Sequence, residues 1–143
     1  MALDVELIRK NFFAISPKVD ELTETFYATL FLRYPGVVPL FDGVNMQQQR
    51  RMLANALVFV VENLDAMDIA SGTLEEMGRR HVEYGAEPEH YPAVGECLLH
   101  ALATVTGDDW NDELESQWTE AYGVISSIML RGAEKATETS ATS

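Results

Sequence analysis

Apolar residues recur along the chain at intervals of three and four, the spacing that gathers them on one face of an α-helix. Val5, Ile8, Phe12 and Ile15 form the first such face. Ser16-Pro17 then has the form of an N-cap followed by a proline at the first helical position. Leu22, Phe26, Tyr27, Leu30 and Phe31 mark a second helix. It must stop near Tyr34, because Pro35 disfavours helical geometry in the residue before it. From Pro35 to Phe41 the two prolines leave room only for a short, tight helical turn. A long third pattern follows at Gln49, Leu53, Ala56, Leu57, Val60, Val61 and Leu64. Val58-Phe59-Val60-Val61 has strand propensity, but its neighbours do not continue the alternation that a strand needs.

Ser71-Gly72 is expected to break the chain, and Thr73-Leu74-Glu75-Glu76 has the form of a capping box. The short helix it opens should end at Tyr84-Gly85, with Gly85 as a left-handed stop. Tyr91, Val94, Leu98, Ala101, Leu102 and Val105 give a fifth helix. Trp118, Ala121, Tyr122, Ile125, Ile128 and Met129 give the last, after an acid-rich first turn around Asn111-Asp112-Glu113. Gly36, Gly43, Gly72, Gly85, Gly107 and Gly132 fall between these helices or at their ends. Gly78, Gly95 and Gly123 fall inside them, where each costs about 1 kcal/mol relative to alanine. Close approach of a backbone or a flat ligand is the usual compensation. The pattern predicts an all-α chain.

Composition bounds what such a chain can do. Its 143 residues, 47% hydrophobic and 23% charged, suit one globular domain. That domain is expected over residues 1–132, followed by a polar, disordered tail over 133–143 with no apolar anchor. Ten basic against 23 acidic residues give a net charge of −13, which repels phosphate backbones and anionic lipid heads. Nucleic acid and membrane surfaces are therefore poor partners. Cys97 is the single cysteine, so an intramolecular disulfide and a cysteine-built zinc site are both excluded. The acidic N-terminus does not look like a signal peptide, and the longest purely apolar stretch, Ala56 to Val61, falls far short of the ~18 residues of a membrane span. A cytoplasmic location is expected.

Three histidines are the first candidates for chemistry. His81 shares a helical face with Leu74, Met77 and Gly78. An imidazole there is by default a core histidine bonded to a carbonyl; the alternative is a metal ligand. No His, Cys or carboxylate lies three or four residues away on that face, so a multi-ligand zinc site is not available. A haem, which brings four donors of its own, needs only the one imidazole. His90, at a helix start, and His100, opposite Ala101-Leu102, read as surface residues. No phosphate-binding loop, nucleophile elbow or Ser-His-Asp order is present.

Several segments together carry a resemblance. Phe26-Tyr27-Ala28-Thr29-Leu30-Phe31 comes first, then Pro39-Leu40-Phe41 and Gln49-Arg50-Arg51-Met52-Leu53. Arg80 to Gly85, His90 to Leu99 and Trp118 to Val124 complete the set. In this order and spacing the chain resembles the single-domain bacterial globins and the haem domain of flavohaemoglobins, from residue 1 to about 132. The resemblance implies the globin fold, a three-on-three helical sandwich around haem b. It implies His81 as the proximal iron ligand, Phe41 stacked on the haem, and Tyr27 and Gln49 as the distal pair facing a gas. Leu53 matches the distal apolar wall, and Leu57, Met77, Val94 and Leu98 are candidate pocket lining. Tyr91 matches a proximal tyrosine. Without the resemblance, Tyr27 would read as core and Gln49 as a solvated helix start, although Gln49 lies one turn before Leu53, where a buried amide needs a partner.

The implied role is reversible binding of dioxygen for transport or storage, with CO and NO as further ligands. Nitric oxide dioxygenation with an external reductase is the alternative, and gas sensing a third. Two departures bear on this. Flavohaemoglobins continue into a flavin- and nicotinamide-binding reductase, which residues 1–143 do not contain, so no enzyme activity is expected of this chain alone. The family glutamate that polarises the proximal histidine aligns with Ala133, and Glu134 is turned from that direction by ~100° on a helix.

Overall fold

The computed structural model describes residues 3–142, with side chains from 3 to 136. It holds six α-helices: α1 (Val5–Ile15), α2 (Val19–Arg33), α3 (Met46–Glu62), α4 (Met67–Glu83), α5 (His90–Thr106) and α6 (Asp112–Thr142). Short 3₁₀ turns, Ser16–Lys18, Pro35–Phe41 and Gly107–Asp109, join some of them. No strand occurs among the described residues, so Val58–Val61 stays helical inside α3. No helix among them is long and apolar enough to cross a membrane.

The helices pack as two principal pairs, α4 on α6 and α2 on α5, with α3 against α2 and α1 touching α3, α5 and α6. One continuous core joins them. Its members include Ile8, Phe12 and Ile15 of α1, Leu22, Phe26 and Leu30 of α2, Leu57, Val60 and Val61 of α3, and Leu74, Leu98, Leu102 and Trp118. Ile8, Leu22, Leu74 and Leu102 are fully buried, and each such side chain contributes about 1.5–3 kcal/mol. A buried polar relay fixes α1: the Trp118 indole donates to Asn11 Oδ1 at 2.9 Å, and Asn11 Nδ2 donates to the Thr106 hydroxyl at 3.1 Å. Arg9 closes the other side by donating to the carbonyls of Val61 and Glu62 at the C-terminus of α3.

Helix boundaries differ from the sequence pattern in three places. Ser71-Gly72 does not break the chain; both lie inside α4. The Ser71 hydroxyl donates back to the Asp68 carbonyl at 3.0 Å instead of capping a new helix. Glu76 pairs with Arg79 and Arg80 and does not reach back toward Thr73. Burial of Ala70 and Leu74 against the core offsets the helical cost of Gly72. At Ser16, too, the hydroxyl donates to Phe13 O, and Ser16-Pro17 forms a 3₁₀ turn before α2 begins at Val19. Lastly, Gly132 is interior to α6, which continues through 133–142 where a tail is expected from sequence. Ala133 is buried and Lys135 pairs with Glu75 at 2.6 Å. Side chains of 137–142 and residue 143 lie outside the described residues.

The expected stop at Gly85 is present. With Gly85 at φ +91°, its N–H donates to Val82 O, and Ala86 N–H reaches back to His81 O at 2.9 Å. This is the paired-bond ending of a Schellman motif, and it pins the backbone of His81.

Candidate functional site

Tyr27 is carried inward by α2, and its ring is enclosed by aromatic neighbours. Ring centroids lie 4.8 Å from Phe26, 5.9 Å from Phe31 and 5.7 Å from Phe41, and Phe31 meets Phe41 at 5.2 Å. These are tilted and edge-on geometries that suit the ring quadrupoles. Phe41 reaches the cluster because the Pro35–Phe41 turn folds back on α2. The Tyr27 side chain is 6% exposed, and Gln49 Nε2 donates to its hydroxyl oxygen at 3.0 Å. Gln49 is placed by the start of α3, where Asn45 caps the helix by accepting from Gln48 N–H. The partner that a half-buried Gln49 amide requires is therefore Tyr27. Burial holds the Tyr27 phenol above its ordinary range, and the Gln49 bond opposes that only in part. The hydroxyl stays protonated at neutral pH, its oxygen accepts from Gln49, and its proton bonds no acceptor among the described residues.

His81 stands in the last turn of α4, half-buried, with Nδ1 2.6 Å from the Met77 carbonyl. A carbonyl can only accept, so Nδ1 carries a proton, which makes Nε2 the nitrogen available as a ligand atom. The carbonyl bond of a core histidine is thus present, yet it engages only Nδ1. Among the described residues no group of three or more His, Cys, Asp or Glu could hold a metal ion. Leu40 lies against Gly85, 3.0 Å from where a Cβ would stand. The turn that carries Phe41 therefore abuts the end of the helix that carries His81.

Tyr91 is buried at the start of α5, and its hydroxyl has no hydrogen-bond partner among the described residues. A second tyrosine secures its backbone: Tyr122 donates to the Tyr91 carbonyl at 2.6 Å, and its ring lies over Gly95, where any Cβ would come within 2.6 Å. Gly95 thus meets a flat ring of the protein itself. Burial raises both phenols, and the neighbouring Tyr91 raises Tyr122 further. Leu57 and Leu98 are buried in the core, while Phe41, Leu53, Met77 and Val94 are half-buried against it. His90 accepts from Glu87 N–H, and His100 faces Arg33 at the surface, so neither joins the site.

The globin family model matches residues 24–129. The chain belongs to the globin family. It is 32% identical to the flavohemoprotein of Bacillus subtilis over 133 residues, which is 92% of this chain and 33% of that protein. The chain therefore spans about a third of the length of the flavohemoproteins it matches. An uncharacterized globin-like protein of Aquifex aeolicus is 33% identical over 110 residues, 77% of each chain. Among solved structures, a bacterial globin from Campylobacter jejuni aligns with a TM-score of 0.82 and 27% identity, covering 94% of this chain and 96% of that one.

Two residues at this site, Phe31 and Tyr122, are not among the sequence candidates, and Met77 is a candidate only for its side chain. Phe31 packs on both Tyr27 and Phe41, and its position four residues after Tyr27 on one helix was the available signal. Met77 contributes its carbonyl, which the i−4 spacing from His81 could have suggested. Tyr122 acts on Tyr91 from 31 residues away, and no local pattern reveals that.

Proposed function

We propose that this globin binds haem b through Nε2 of His81 and reversibly holds dioxygen on the side of Tyr27 and Gln49. The residues present fit the group. His81 offers an imidazole whose Nδ1 is already bonded to Met77 O, and Tyr91 carries a buried hydroxyl with no hydrogen-bond partner among the described residues. Half-buried Phe41, Leu53, Met77 and Val94 supply apolar surface for a flat macrocycle. Covalent attachment through paired cysteines is excluded, because Cys97 stands alone and is buried. This supports a haem held without covalent attachment, as the proposed b type is.

When bound, the haem iron supplies the coordination position that a diatomic gas occupies. The protein's part is then ligation, orientation and hydrogen bonding. Met77 O fixes the tautomer and plane of His81, so that Nε2 is the donating atom. The observation that carries the reading is the bond from Gln49 to Tyr27. It occupies the phenol oxygen and leaves the phenol proton for a ligand that accumulates negative charge, which favours dioxygen over the less polar CO. Visible spectra of the ferrous protein under argon, O2 and CO test it: three distinct spectra with a reversible O2 form support the reading. A protein that takes up no haem, or spectra unchanged in His81→Ala, would overturn it.

Nitric oxide dioxygenation is the second reading. It is favoured by the likeness to flavohemoproteins and to an engineered carbene transferase built on a proposed nitric oxide dioxygenase of Rhodothermus marinus (TM-score 0.84, 26% identity, 99% of this chain and 98% of that one). In that reading the electrons come from a reductase, for which residues 1–143 show no flavin or dinucleotide motif. NO consumption under O2 that depends on an added flavin reductase and NADH, with nitrate as product, would place the protein in that class.

A further inference from the structure

Two glycines bring α4 and α6 into backbone contact. A Cβ built on Gly78 of α4 would stand 1.9 Å from the carbonyl oxygen of Met129, and one on Gly132 of α6 would stand 1.9 Å from that of Glu75. The positions advance by three residues on one helix and retreat by three on the other. The helices are therefore antiparallel and meet backbone to backbone over nearly a full turn. Both obstructing atoms are main chain, which cannot rotate aside as a flexible side chain could. Lys135 to Glu75, at 2.6 Å, adds an ion pair across the same seam. Gly123, also inside α6, has open space where a Cβ would stand.

We propose that Gly78 and Gly132 are positioning residues for His81, fixing how deeply α4 sits against α6 and so how far Nε2 reaches toward the iron. The inference rests on the reading of His81 as the iron ligand. His81 lies three residues beyond Gly78, less than one turn from the contact. Its ring leans back toward the helix N-terminus, as helical side chains do, onto the Met77 carbonyl beside that glycine. The ring is anchored to main chain whose depth the contact sets. A methyl at position 78 has to stand at least 3.0 Å from the Met129 oxygen, so the local backbones must separate by about 1.1 Å. Ligating constellations tolerate displacements of only about 0.5 Å.

The test compares haem-loaded wild type with Gly78→Ala, Gly132→Ala and, as a control on the same helix, Gly123→Ala. Resonance Raman spectra of the ferrous, gas-free protein read the iron–histidine stretch, and transfer to an excess of a competing apoglobin reads haem loss. Gly78→Ala is expected to shift the iron–histidine band and speed haem loss by roughly tenfold or more. Gly132→Ala, whose contact lies one turn further from His81, should shift the band in the same direction by less. Gly123→Ala should change neither. Lower melting temperatures in both seam variants with the band at its wild-type position would mean a purely structural contact and overturn the proposal. If Gly78→Ala holds no haem, the band of Gly132→Ala decides. A wild-type protein without an iron–histidine band would overturn the ligation reading itself, an outcome the glycine variants are not needed to reach.

Discussion

Replacing Tyr27 by phenylalanine isolates one hydroxyl. The ring contacts with Phe26, Phe31 and Phe41 need only carbon atoms and survive the change. What goes is the donor proton and the oxygen that accepts from Gln49 at 3.0 Å. A hydrogen bond to a partly charged partner in a dry pocket is worth about 1.5–3 kcal/mol. At 1.4 kcal/mol per decade this predicts an O2 dissociation rate raised ~10–100-fold. The Gln49 amide pushes toward the upper part of that range, since a hydroxyl that already accepts a bond is a stronger donor. CO, which develops far less charge, should be affected much less. Stopped-flow ligand displacement on wild type and Tyr27→Phe measures both rates. Because burial holds the Tyr27 phenol above its ordinary range, the wild-type O2 rate should also stay flat from neutral pH to about pH 9. Equal acceleration of O2 and CO loss would show that Tyr27 works by packing and refute the hydrogen-bond account. Gln49→Leu should act in the same direction but more weakly, because its bond is made to Tyr27.

Other outcomes follow from the surrounding structure. Asn11→Ala strands the Trp118 indole N–H in the core and should lower unfolding free energy by about 1–3 kcal/mol, read from the denaturant midpoint. Tyr122 has a phenol raised above 10 in the folded state, mainly by burial, so the unfolded chain loses that proton first as pH rises. Its contribution is complete below pH 10 and declines above it. The alkaline loss of stability should therefore be shallower in Tyr122→Phe, and equal slopes in the two proteins would contradict this. Ala133→Glu should raise the peroxidase activity of the haem-loaded protein by giving His81 a carboxylate partner, checked by initial rates with hydrogen peroxide and an aromatic donor.

The sequence pattern made the helices legible wherever an apolar face met the core, as in Val5–Ile15 and His90–Thr106. It misread positions where a local signal competed with tertiary burial. Ser71-Gly72 looks like a break, yet Ala70 and Leu74 on either side are buried, and packing keeps the helix intact. Gly132 looks like a terminus because glycine commonly ends helices, whereas here its missing side chain admits the Glu75 backbone. At the site, spacing alone left His81 between core and ligand and favoured core for Tyr27; the family motifs assigned their roles. The Tyr27–Gln49 bond joins residues 22 apart, and the Tyr122–Tyr91 bond joins residues 31 apart. Hydrophobic periodicity describes one helix at a time and cannot report either pairing.

The two sides of the candidate haem site are built on different chemistry. On the Tyr27 side a phenol and an amide, both neutral, present a proton whose bond strengthens only as a ligand takes on charge. On the His81 side the partner of Nδ1 is the neutral carbonyl of Met77. A carboxylate in that role would draw the imidazole toward imidazolate and make it a stronger electron donor, which favours cleavage of a peroxide bond. Position 133 is where one could enter. In the antiparallel α4–α6 seam, Gly132 touches Glu75 and Gly78 touches Met129. Side chains on each helix lean toward that helix's own N-terminus, so a side chain at 133 and the ring of His81 lean toward one another. Alanine leaves the approach apolar, and the exposed Glu134 lies on another face of α6. With a neutral carbonyl as the partner of His81 and a phenol proton on the Tyr27 side, these residues would favour the proposed holding of dioxygen over cleavage of a peroxide bond.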